Sequence, residues 1–397
     1  MYLDYTAEQE ALRKELREYF ARLLTDDVRA ELGHPGEGSP LFRTLVREMG
    51  SAGWLGIGWP VEYGGQGRSA MEQFIFFDEV QRAGAPFPFV TLNTVGPTIM
   101  GFGTDAQKAF FLPRILSGDI NFAIGYTEPD AGTDLASLRT RARRDGDEYV
   151  IDGSKVFTSG ANQADYIWLA ARTNPEAPKH KGISIFAVPT SSPGFSWAPI
   201  VTVGSVVTTV TYYTDVRVPA AALIGVEHEG WRMITTQLNH ERVGLAALGG
   251  LAHGLVEEVN EWVRHQPAGA AGGRLIEVPW VQMALAEVHA RMEAMKLLNW
   301  RMASSLDRGS LGAAESSAVK VYGTECLVAV YRRLLEILGP LGYLREGSPD
   351  AALRGQVEMA ARAAQINTFG GGVNEVQREI VAAAGLGMAR QARQAPR

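Results

Sequence analysis

The spacing of apolar residues changes twice along the chain. Near the N-terminus, apolar residues recur every three or four positions, as expected for helices that bury one face. From Phe122 this pattern gives way to short, β-branched, alternating runs separated by turns, and from residue 230 it is helical again. We therefore expect a mainly α protein with a central β domain. The predicted divisions are an N-terminal helical domain (1–121), a central β domain (122–229) and a C-terminal helical bundle (230–397).

Individual elements can be placed from the same pattern. Asp145-Gly146-Asp147 lies between two alternating runs and predicts a hairpin turn. The glycine-rich residues 53–67 predict a structured loop. The candidate strands are 122–126, 138–144, 149–157, 166–171, 183–189, 195–199 and 208–217. The candidate helices after residue 70 are 72–82, 95–102, 106–116, 230–265, 278–307, 312–338, 349–366 and 373–389.

One C-terminal helical stripe contains an acidic residue. On a helix, Glu241 falls in the middle of an apolar face, where a hydrophobic residue is expected. A carboxylate in such a place is costly unless it is paired or protonated, and groups of this kind collect at functional sites. Glu241 is therefore a candidate catalytic residue, and the alternative is an internal ion pair or a position just off the stripe that reaches solvent. The apolar positions of the stripe are Trp231, Ile234, Leu238, Leu245 and Leu248.

Composition narrows the class of protein. The chain has 397 residues, a net charge of −6 and one cysteine, Cys326, without a basic run, a signal-peptide pattern or an apolar run of membrane-spanning length. Nucleic acid and membrane partners are therefore not expected, nor is a disulfide framework, and a cytoplasmic protein is the best interpretation. The histidines lack metal-site spacing, and the chain has neither a Gly-x-Ser-x-Gly motif nor a convincing dinucleotide fingerprint. No metal site is predicted.

Two loops could hold a ligand. Residues 126–135 (Tyr-Thr-Glu-Pro-Asp-Ala-Gly-Thr-Asp-Leu) follow a strand and bring small residues and two threonine hydroxyls together. Such a loop can approach a planar polar ligand closely, or it can be a simple surface connection. Residues 368–378 (Thr-Phe-Gly-Gly-Gly-Val-Asn-Glu-Val-Gln-Arg) place three glycines before a helix, which suits an anion or carbonyl oxygen, or a hinge.

These segments together resemble the acyl-CoA dehydrogenase family over almost the whole chain. Residues 60–67 look like the N-terminal loop of the family, and 127–134 like its flavin-binding signature. Residues 153–159 are similar to its second flavin strand, and 373–378 to its C-terminal signature. The resemblance implies an N-terminal helical domain, a β-barrel-like middle domain and a C-terminal four-helix bundle, in agreement with the pattern above.

The resemblance implies FAD as the cofactor and acyl-CoA as the substrate. Tyr126, Thr127 and Thr133 then belong to the cofactor site, the two threonines bonding the flavin or lining the acyl-CoA entrance. Phe157 replaces a frequent tryptophan against the isoalloxazine ring, and Ser159 replaces a hydrogen-bonding threonine. The family oxidises an acyl-CoA thioester to the trans-2-enoyl-CoA and passes the electrons to electron-transfer flavoprotein.

The position of the family's catalytic glutamate is informative. In many members it lies in the C-terminal signature, where this chain has Gly371. A minority, typified by isovaleryl-CoA dehydrogenase, carry it on the helix that opens the bundle, and Glu241 matches that position. Gly371 can then offer its backbone N–H to the thioester oxygen. By the same resemblance, Arg242 follows the base, and Asn239 stands where an aspartate often contacts the pantetheine arm.

Two departures from the family concern the FAD site shared between subunits. The Arg-x-x-Phe-Gly motif is missing from residues 272–280, and the Gln-x-x-Gly-Gly-x-Gly motif appears as residues 336–342 with its glutamine and one glycine replaced. This pattern resembles the base-bearing subunit of heteromeric (α2β2) actinobacterial dehydrogenases of steroid side-chain degradation, which implies a homologous partner subunit. The alternatives are a homomeric isovaleryl-type dehydrogenase and a non-catalytic structural subunit.

Overall fold

The computed structural model describes residues 4–32, 39–237, 249–269 and 272–389. The chain forms two compact units, each assembled from separate segments. Unit 1 comprises residues 1–18, 69–85 and 242–397, and unit 2 comprises residues 19–68 and 86–241. The division of the sequence into three domains at residues 121 and 229 remains a proposal.

The predicted order of helices, strands and helices is confirmed in the described residues. Residues 230–237 are helical as well, and the loop at 53–67 contains two short 3₁₀ turns, at Trp54–Gly56 and Val61–Tyr63. The α-helices with assigned ends are α1 (Ala7–Leu23), α2 (Asp26–Leu32), α3 (Pro40–Ser51), α4 (Ala70–Ala83), α5 (Gly96–Phe102), α6 (Asp105–Leu116), α7 (Gly249–His265), α8 (Pro279–Asp307), α9 (Ala313–Leu338), α10 (Gln356–Ala363) and α11 (Asn374–Ile380).

Unit 1 is built on four packed helices, α4, α7, α8 and α9. Their facing sides bury aliphatic residues such as Val259, Val288 and Val330, all fully shielded from solvent. Burial of apolar side chains of this size stabilises a helical core by ~1.5–3 kcal/mol each. The long helices α8 and α9 thus have the broad apolar faces that the sequence predicts for a bundle.

The last two predicted helices are shorter and more irregular than expected. Instead of one helix over 349–366, a 3₁₀ turn at Ala352–Gly355 precedes α10, and a second 3₁₀ turn, Ala364–Thr368, follows it. Leu353 and Arg354 have φ of 47° and 57°, which ends regular helical hydrogen bonding there. Helix α11 passes into a π-helical turn at Val381–Gly385.

The strands of unit 2 are β1 (Phe122–Gly125), β2 (Arg141–Asp145), β3 (Glu148–Val156), β4 (Tyr166–Arg172), β5 (Ile183–Pro189), β6 (Phe195–Val201), β7 (Val207–Pro219) and β8 (Leu223–Ile224). In the described residues they form one mixed sheet, in the order β6-β7-β3-β2-β4-β5-β8, with β1 added beside β4. Most pairs are antiparallel, but β1 and β2 both run parallel to β4.

Strands β1 and β2 share one edge of β4. Strand β5 pairs with β4 along its whole length, so β1 and β2 must occupy the opposite edge. β1 pairs with the first residues of β4, from Tyr166, and β2 reaches only its last residue, Arg172. The connection between β1 and β2 therefore leaves the sheet in the gap between them. That connection contains residues 126–135, the first candidate ligand loop.

Among the described residues, the helices lack the combination of length and continuous apolar character that a membrane-spanning helix needs.

Candidate functional site

The loop after β1 is anchored by a buried lysine. Lys155 on β3 is fully buried, and its Nζ donates to the carbonyl oxygen of Tyr126 (3.0 Å) and to Oε1 of Glu128 (2.8 Å). The Glu128 carboxylate also accepts the backbone N–H groups of Arg139 (2.6 Å) and Thr140 (2.8 Å). One ion pair therefore fixes both the beginning and the end of the loop.

Burial acts on the pKa of both partners of this ion pair. It raises the pKa of Glu128, but the Lys155 ammonium and the hydrogen bonds to the carboxylate outweigh it and hold that pKa below its usual range. In Lys155, burial lowers the pKa to about 8, although the Glu128 carboxylate opposes the change. Both groups are thus charged near neutral pH, which is what a buried pair needs to hold the loop.

β3 ends in strained backbone beside the same loop. The N–H of Val156 donates to the carbonyl oxygen of Thr127 (2.8 Å). The next residue, Phe157, has φ of 59°, a left-handed conformation that costs a bulky residue ~1–2 kcal/mol. Thr158 follows it, fully buried, and is fixed by its N–H to the carbonyl oxygen of Thr209 (3.0 Å). Between these two fixed neighbours the Phe157 ring is 59% exposed. Strain held by its surroundings in this way is typical of functional sites.

The predicted cofactor residues of unit 2 lie in this loop and at this strand end. Thr127 is half-buried, whereas Thr133 and Ser159 are exposed. The Oγ of Ser159 lies 2.9 Å from Oγ1 of Thr208. Tyr126 differs from the others, because it is buried and its hydroxyl donates to Oε1 of Gln237 (2.8 Å).

These residues fit the flavin that the resemblance implies. The exposed Phe157 offers a flat apolar surface. Ser159, two residues further along the chain, and Thr127, whose carbonyl oxygen accepts the N–H of Val156, add hydroxyl groups with hydrogen-bonding capacity. A planar ligand with polar edges needs this combination. Phe157 and Ser159 are the side chains that would face the isoalloxazine ring, with Thr127 at its polar edge.

The second candidate loop, in unit 1, is also held by a buried lysine. Lys320 on α9 donates its Nζ to the carbonyl oxygen of Gly372 (2.7 Å), to Oδ1 of Asn374 (2.7 Å) and to the carbonyl oxygen of Thr368 (3.3 Å). Its side chain is 5% exposed. The lysine thus binds carbonyl oxygens at both ends of the glycine run.

The conformation of this loop requires glycine. Gly371 and Gly372 have φ of 66° and 96°. A Cβ at Gly372 would lie 2.6 Å from Nε2 of Gln377. In the part of the chain that the structure describes, no backbone carbonyl accepts the N–H of Gly371. The role of this N–H as a donor to the thioester oxygen remains a prediction, and the described geometry is compatible with it.

The predicted residues on the stripe that contains Glu241 are only partly described. Residues 230–237 are helical, with Met233, Ile234 and Gln237 buried. Asn239, Glu241 and Arg242 lie outside the described residues. Their roles as pantetheine contact, base and neighbouring arginine remain predictions.

Three residues that the structure places at these loops were not predicted from the sequence, namely Lys155, Gln237 and Lys320. The burial of Lys155 could have been predicted, since at a period of two residues its side chain lies on the same face of the strand as the buried Tyr149 and Ile151. Lys320 and Gln237 sit on helices among other polar residues, and their partners are 48–54 and 69–111 residues away in the sequence. Among the described residues, no three acidic, histidine or cysteine side chains are grouped to bind a metal.

Comparison with known proteins identifies the family. The models for the acyl-CoA dehydrogenase N-terminal, middle and C-terminal domains match residues 6–119, 123–215 and 228–386. Acyl-CoA dehydrogenase FadE26 of Mycobacterium tuberculosis is 53% identical, with 98% of this chain and 99% of FadE26 aligned.

Two solved structures resemble the chain over its length. A chain of the Tcur3481-Tcur3483 steroid ACAD has a TM-score of 0.93 at 59% identity, covering 98% of this chain and 100% of that one. A chain of the ChsE4-ChsE5 complex from Mycobacterium tuberculosis has a TM-score of 0.92 at 53% identity, with the same coverage. The protein therefore belongs to the acyl-CoA dehydrogenase family and is an FAD-dependent acyl-CoA dehydrogenase.

Proposed function

We propose that this chain is the base-bearing subunit of a heteromeric dehydrogenase that acts on a bulky acyl-CoA of steroid side-chain type. The observation that carries this proposal is the likeness, over 98% of the chain, to one chain of each of two structures named for pairs of proteins. One of the two is named as a steroid ACAD. The product is the trans-2-enoyl-CoA, and electron-transfer flavoprotein is the proposed electron acceptor.

Glu241 is the proposed base. Its carboxylate takes the α-proton of the thioester, and the N–H of Gly371 donates to the thioester oxygen as negative charge develops there. Each of these contributions typically accelerates such a step by about 10²- to 10³-fold. Bound FAD supplies the acceptor for the β-hydride at its N5. Asn239 and Arg242 are proposed to contact the acyl-CoA.

The segments that depart from the family support a partner subunit. Arg274, in the segment that lacks the Arg-x-x-Phe-Gly motif, donates Nη1 to the carbonyl oxygen of Arg264 (3.0 Å) in its own chain. Glu336, in place of the glutamine, binds Nη1 of Arg333 through its carboxylate (2.6 Å). Both side chains thus make contacts within their own chain, and the motif residues that would bind the FAD of a second identical chain are absent. We therefore expect a different subunit to supply the missing contacts of each FAD site.

Exposed apolar residues in the same region agree with this proposal. Trp280 and Met283, one turn apart at the start of α8, are 50% and 73% exposed. Large apolar side chains that share an exposed helix face are typical of protein interfaces. Trp280 and Met283 lie at the end of, and just after, residues 272–280, the segment in which the Arg-x-x-Phe-Gly motif of family homotetramers is missing.

Expression alone and together with a homologous neighbouring gene product tests the assembly. Native mass and FAD content should show an incomplete flavin complement for the chain alone and a full one for an α2β2 assembly. A flavin-saturated homotetramer formed by this chain alone would instead support the isovaleryl-type alternative. Turnover of steroid side-chain, isovaleryl and octanoyl thioesters by the assembly then tests the substrate class. Retention of activity after Glu241→Ala would favour a structural subunit.

A further inference from the structure

A buried polar triad in unit 2 connects β1, β4 and the helical residues 230–237. Nε1 of Trp168 lies 3.1 Å from the hydroxyl of Tyr126 and 3.2 Å from Oε1 of Gln237. The hydroxyl of Tyr126 lies 2.8 Å from the same Oε1. The exposed fractions are 0% for Trp168, 9% for Tyr126 and 1% for Gln237.

The chemistry of the triad fixes the orientation of the amide. The indole N–H of Trp168 can only donate, so both atoms that it faces must accept. The amide atom of Gln237 nearest to it must therefore be the oxygen, and the Tyr126 hydroxyl donates to that oxygen as well. Rotation of the amide by 180° would place its NH₂ group against the indole N–H of Trp168, so that two donors would face each other. Hydrogen-bond chemistry therefore determines which atom of the Gln237 amide is Nε2.

Nε2 of Gln237 has no acceptor within the described residues. Buried donors without partners are rare, because a buried N–H loses its hydrogen bonds to water. Among the described residues, the other buried side-chain nitrogen in this condition is Nδ2 of Asn93, for which no comparable contact fixes the amide orientation. The side chain of Gln237 therefore has a buried N–H donor whose assignment to Nε2 is known.

The surroundings of this donor belong to the proposed site. Tyr126, which binds the amide oxygen, opens the candidate flavin loop, and its carbonyl oxygen is held by Lys155. Gln237 also precedes Glu241, the proposed base, by four residues. An amide is neutral, so its favourable buried partner is a neutral oxygen, whereas a carboxylate or phosphate would retain an uncompensated charge.

Building on the function proposed above, we propose that Nε2 of Gln237 donates a hydrogen bond to a neutral carbonyl or hydroxyl oxygen of the bound flavin or of the acyl group. This hydrogen bond would favour ligands that have an acceptor oxygen within reach of Nε2 of Gln237. A buried site that hydrogen-bonds a ligand oxygen rejects ligands that lack it, because its own donor is then left unpaired.

The test compares Gln237→Met with Trp168→Phe in the purified, flavin-loaded assembly. Gln237→Met removes the donor at similar side-chain length. Trp168→Phe weakens the triad on its oxygen side and leaves Nε2 in place, so it reports general effects of disturbing the triad. Thermal unfolding of both variants shows how much stability each has lost.

Three ligand measurements distinguish the source of the oxygen. The first is FAD release on dilution of the holoprotein, the second is binding of octanoyl-CoA, and the third is binding of a steroid side-chain acyl-CoA with an oxygen on its ring system. We expect Gln237→Met to weaken one of these by about 3- to 10-fold, the range of one neutral hydrogen bond, beyond any effect of Trp168→Phe.

The pattern of losses identifies the acceptor. Faster FAD release indicates a flavin oxygen. Weaker binding of octanoyl-CoA with unchanged FAD release indicates the carbonyl oxygen of the thioester. A loss limited to the steroid thioester indicates the oxygen on the ring system of its acyl group. Equal behaviour of the two variants in all three measurements would overturn the proposal. If the wild-type assembly oxidised no acyl-CoA, the proposed function would fail, whereas FAD release would still test Gln237.

Discussion

The Nζ of Lys155 lies 2.8 Å from Oε1 of Glu128, with both side chains withdrawn from solvent. This pair connects the end of β3 to the loop between β1 and β2, which contains Glu128. The charges hold the loop in position, because Oε1 of the carboxylate accepts both the lysine and the N–H of Thr140, while Oε2 accepts the N–H of Arg139. The position of the candidate ligand loop therefore depends on an ion pair that binds backbone groups of Tyr126, Arg139 and Thr140.

Lys155→Met should release this loop. Removing one partner leaves a buried carboxylate uncompensated, and such changes cost about 3–5 kcal/mol of unfolding free energy. We expect a loss of this size in urea unfolding, together with a reduced FAD content per chain. The double variant with Glu128→Gln should recover part of the stability, since it removes the unpaired charge. A loss of stability in the double variant equal to the sum of the losses in Lys155→Met and Glu128→Gln would contradict a direct interaction.

Glu128 should contribute to acid sensitivity. Its pKa is held below the usual range in the folded protein, so between that folded value and ~4.5 the unfolded chain binds more protons than the folded one. Stability from this group is present above that window and is lost as the pH falls through it. Urea unfolding from pH 6 to pH 3.5 should show a smaller decline for Glu128→Gln than for the wild type. Parallel declines would mean that this carboxylate has an ordinary pKa.

Phe157 should affect cofactor binding much more than it affects stability. Phe157→Gly relieves ~1–2 kcal/mol of left-handed strain, while the added flexibility of glycine costs ~0.5–1 kcal/mol. Since the ring is 59% exposed, we expect the unfolding free energy without FAD to change little. FAD affinity should fall in Phe157→Gly and be retained in Phe157→Trp. An FAD dissociation constant unchanged by the glycine variant would remove the ring from the cofactor site.

Lys320 should control the geometry of the glycine loop. Lys320→Met leaves the carbonyl oxygens of Thr368 and Gly372 without their donor and should displace the N–H of Gly371. We expect kcat to fall by at least about tenfold with FAD content preserved, because an oxyanion donor contributes through position. Arg378→Met is the matched control. It removes an exposed ion pair between Arg378 on α11 and Glu325, which lies five residues after Lys320 on α9. Equal effects of the two variants would argue against a specific role for Lys320.

The sequence predicted the regular elements well, and its errors have physical causes. The sequence predicts strand β5 at its observed bounds, Ile183–Pro189, because this run is almost entirely apolar, and the structure buries nearly all of it. The sequence also predicts a strand from residue 138, but β2 begins at Arg141. The N–H groups of Arg139 and Thr140 are bound by the Glu128 carboxylate, which replaces strand pairing there. A contact over 11–12 residues of loop is invisible to a pattern of alternating residues.

The candidate site was predictable only in part for the same reason. The turn-rich and glycine-rich composition of residues 126–135 and 368–378 indicates the two loops, and the family resemblance indicates Phe157. It did not show that Lys155 and Lys320 hold those loops, since each lysine acts through partners 27–29 or 48–54 residues away. The amide of Gln237 acquires its significance from Trp168 and Tyr126, which no local pattern connects to it.

The central claim is that Glu241 is the base, and its most direct test is turnover by the flavin-loaded assembly carrying Glu241→Gln. The substitution keeps the size of the side chain and removes its capacity to accept a proton. We expect the rate of flavin reduction by a steroid side-chain acyl-CoA to fall by at least about 10²-fold, with FAD content and native mass unchanged. Flavin reduction within a few-fold of the wild-type rate would contradict this account and place the base elsewhere.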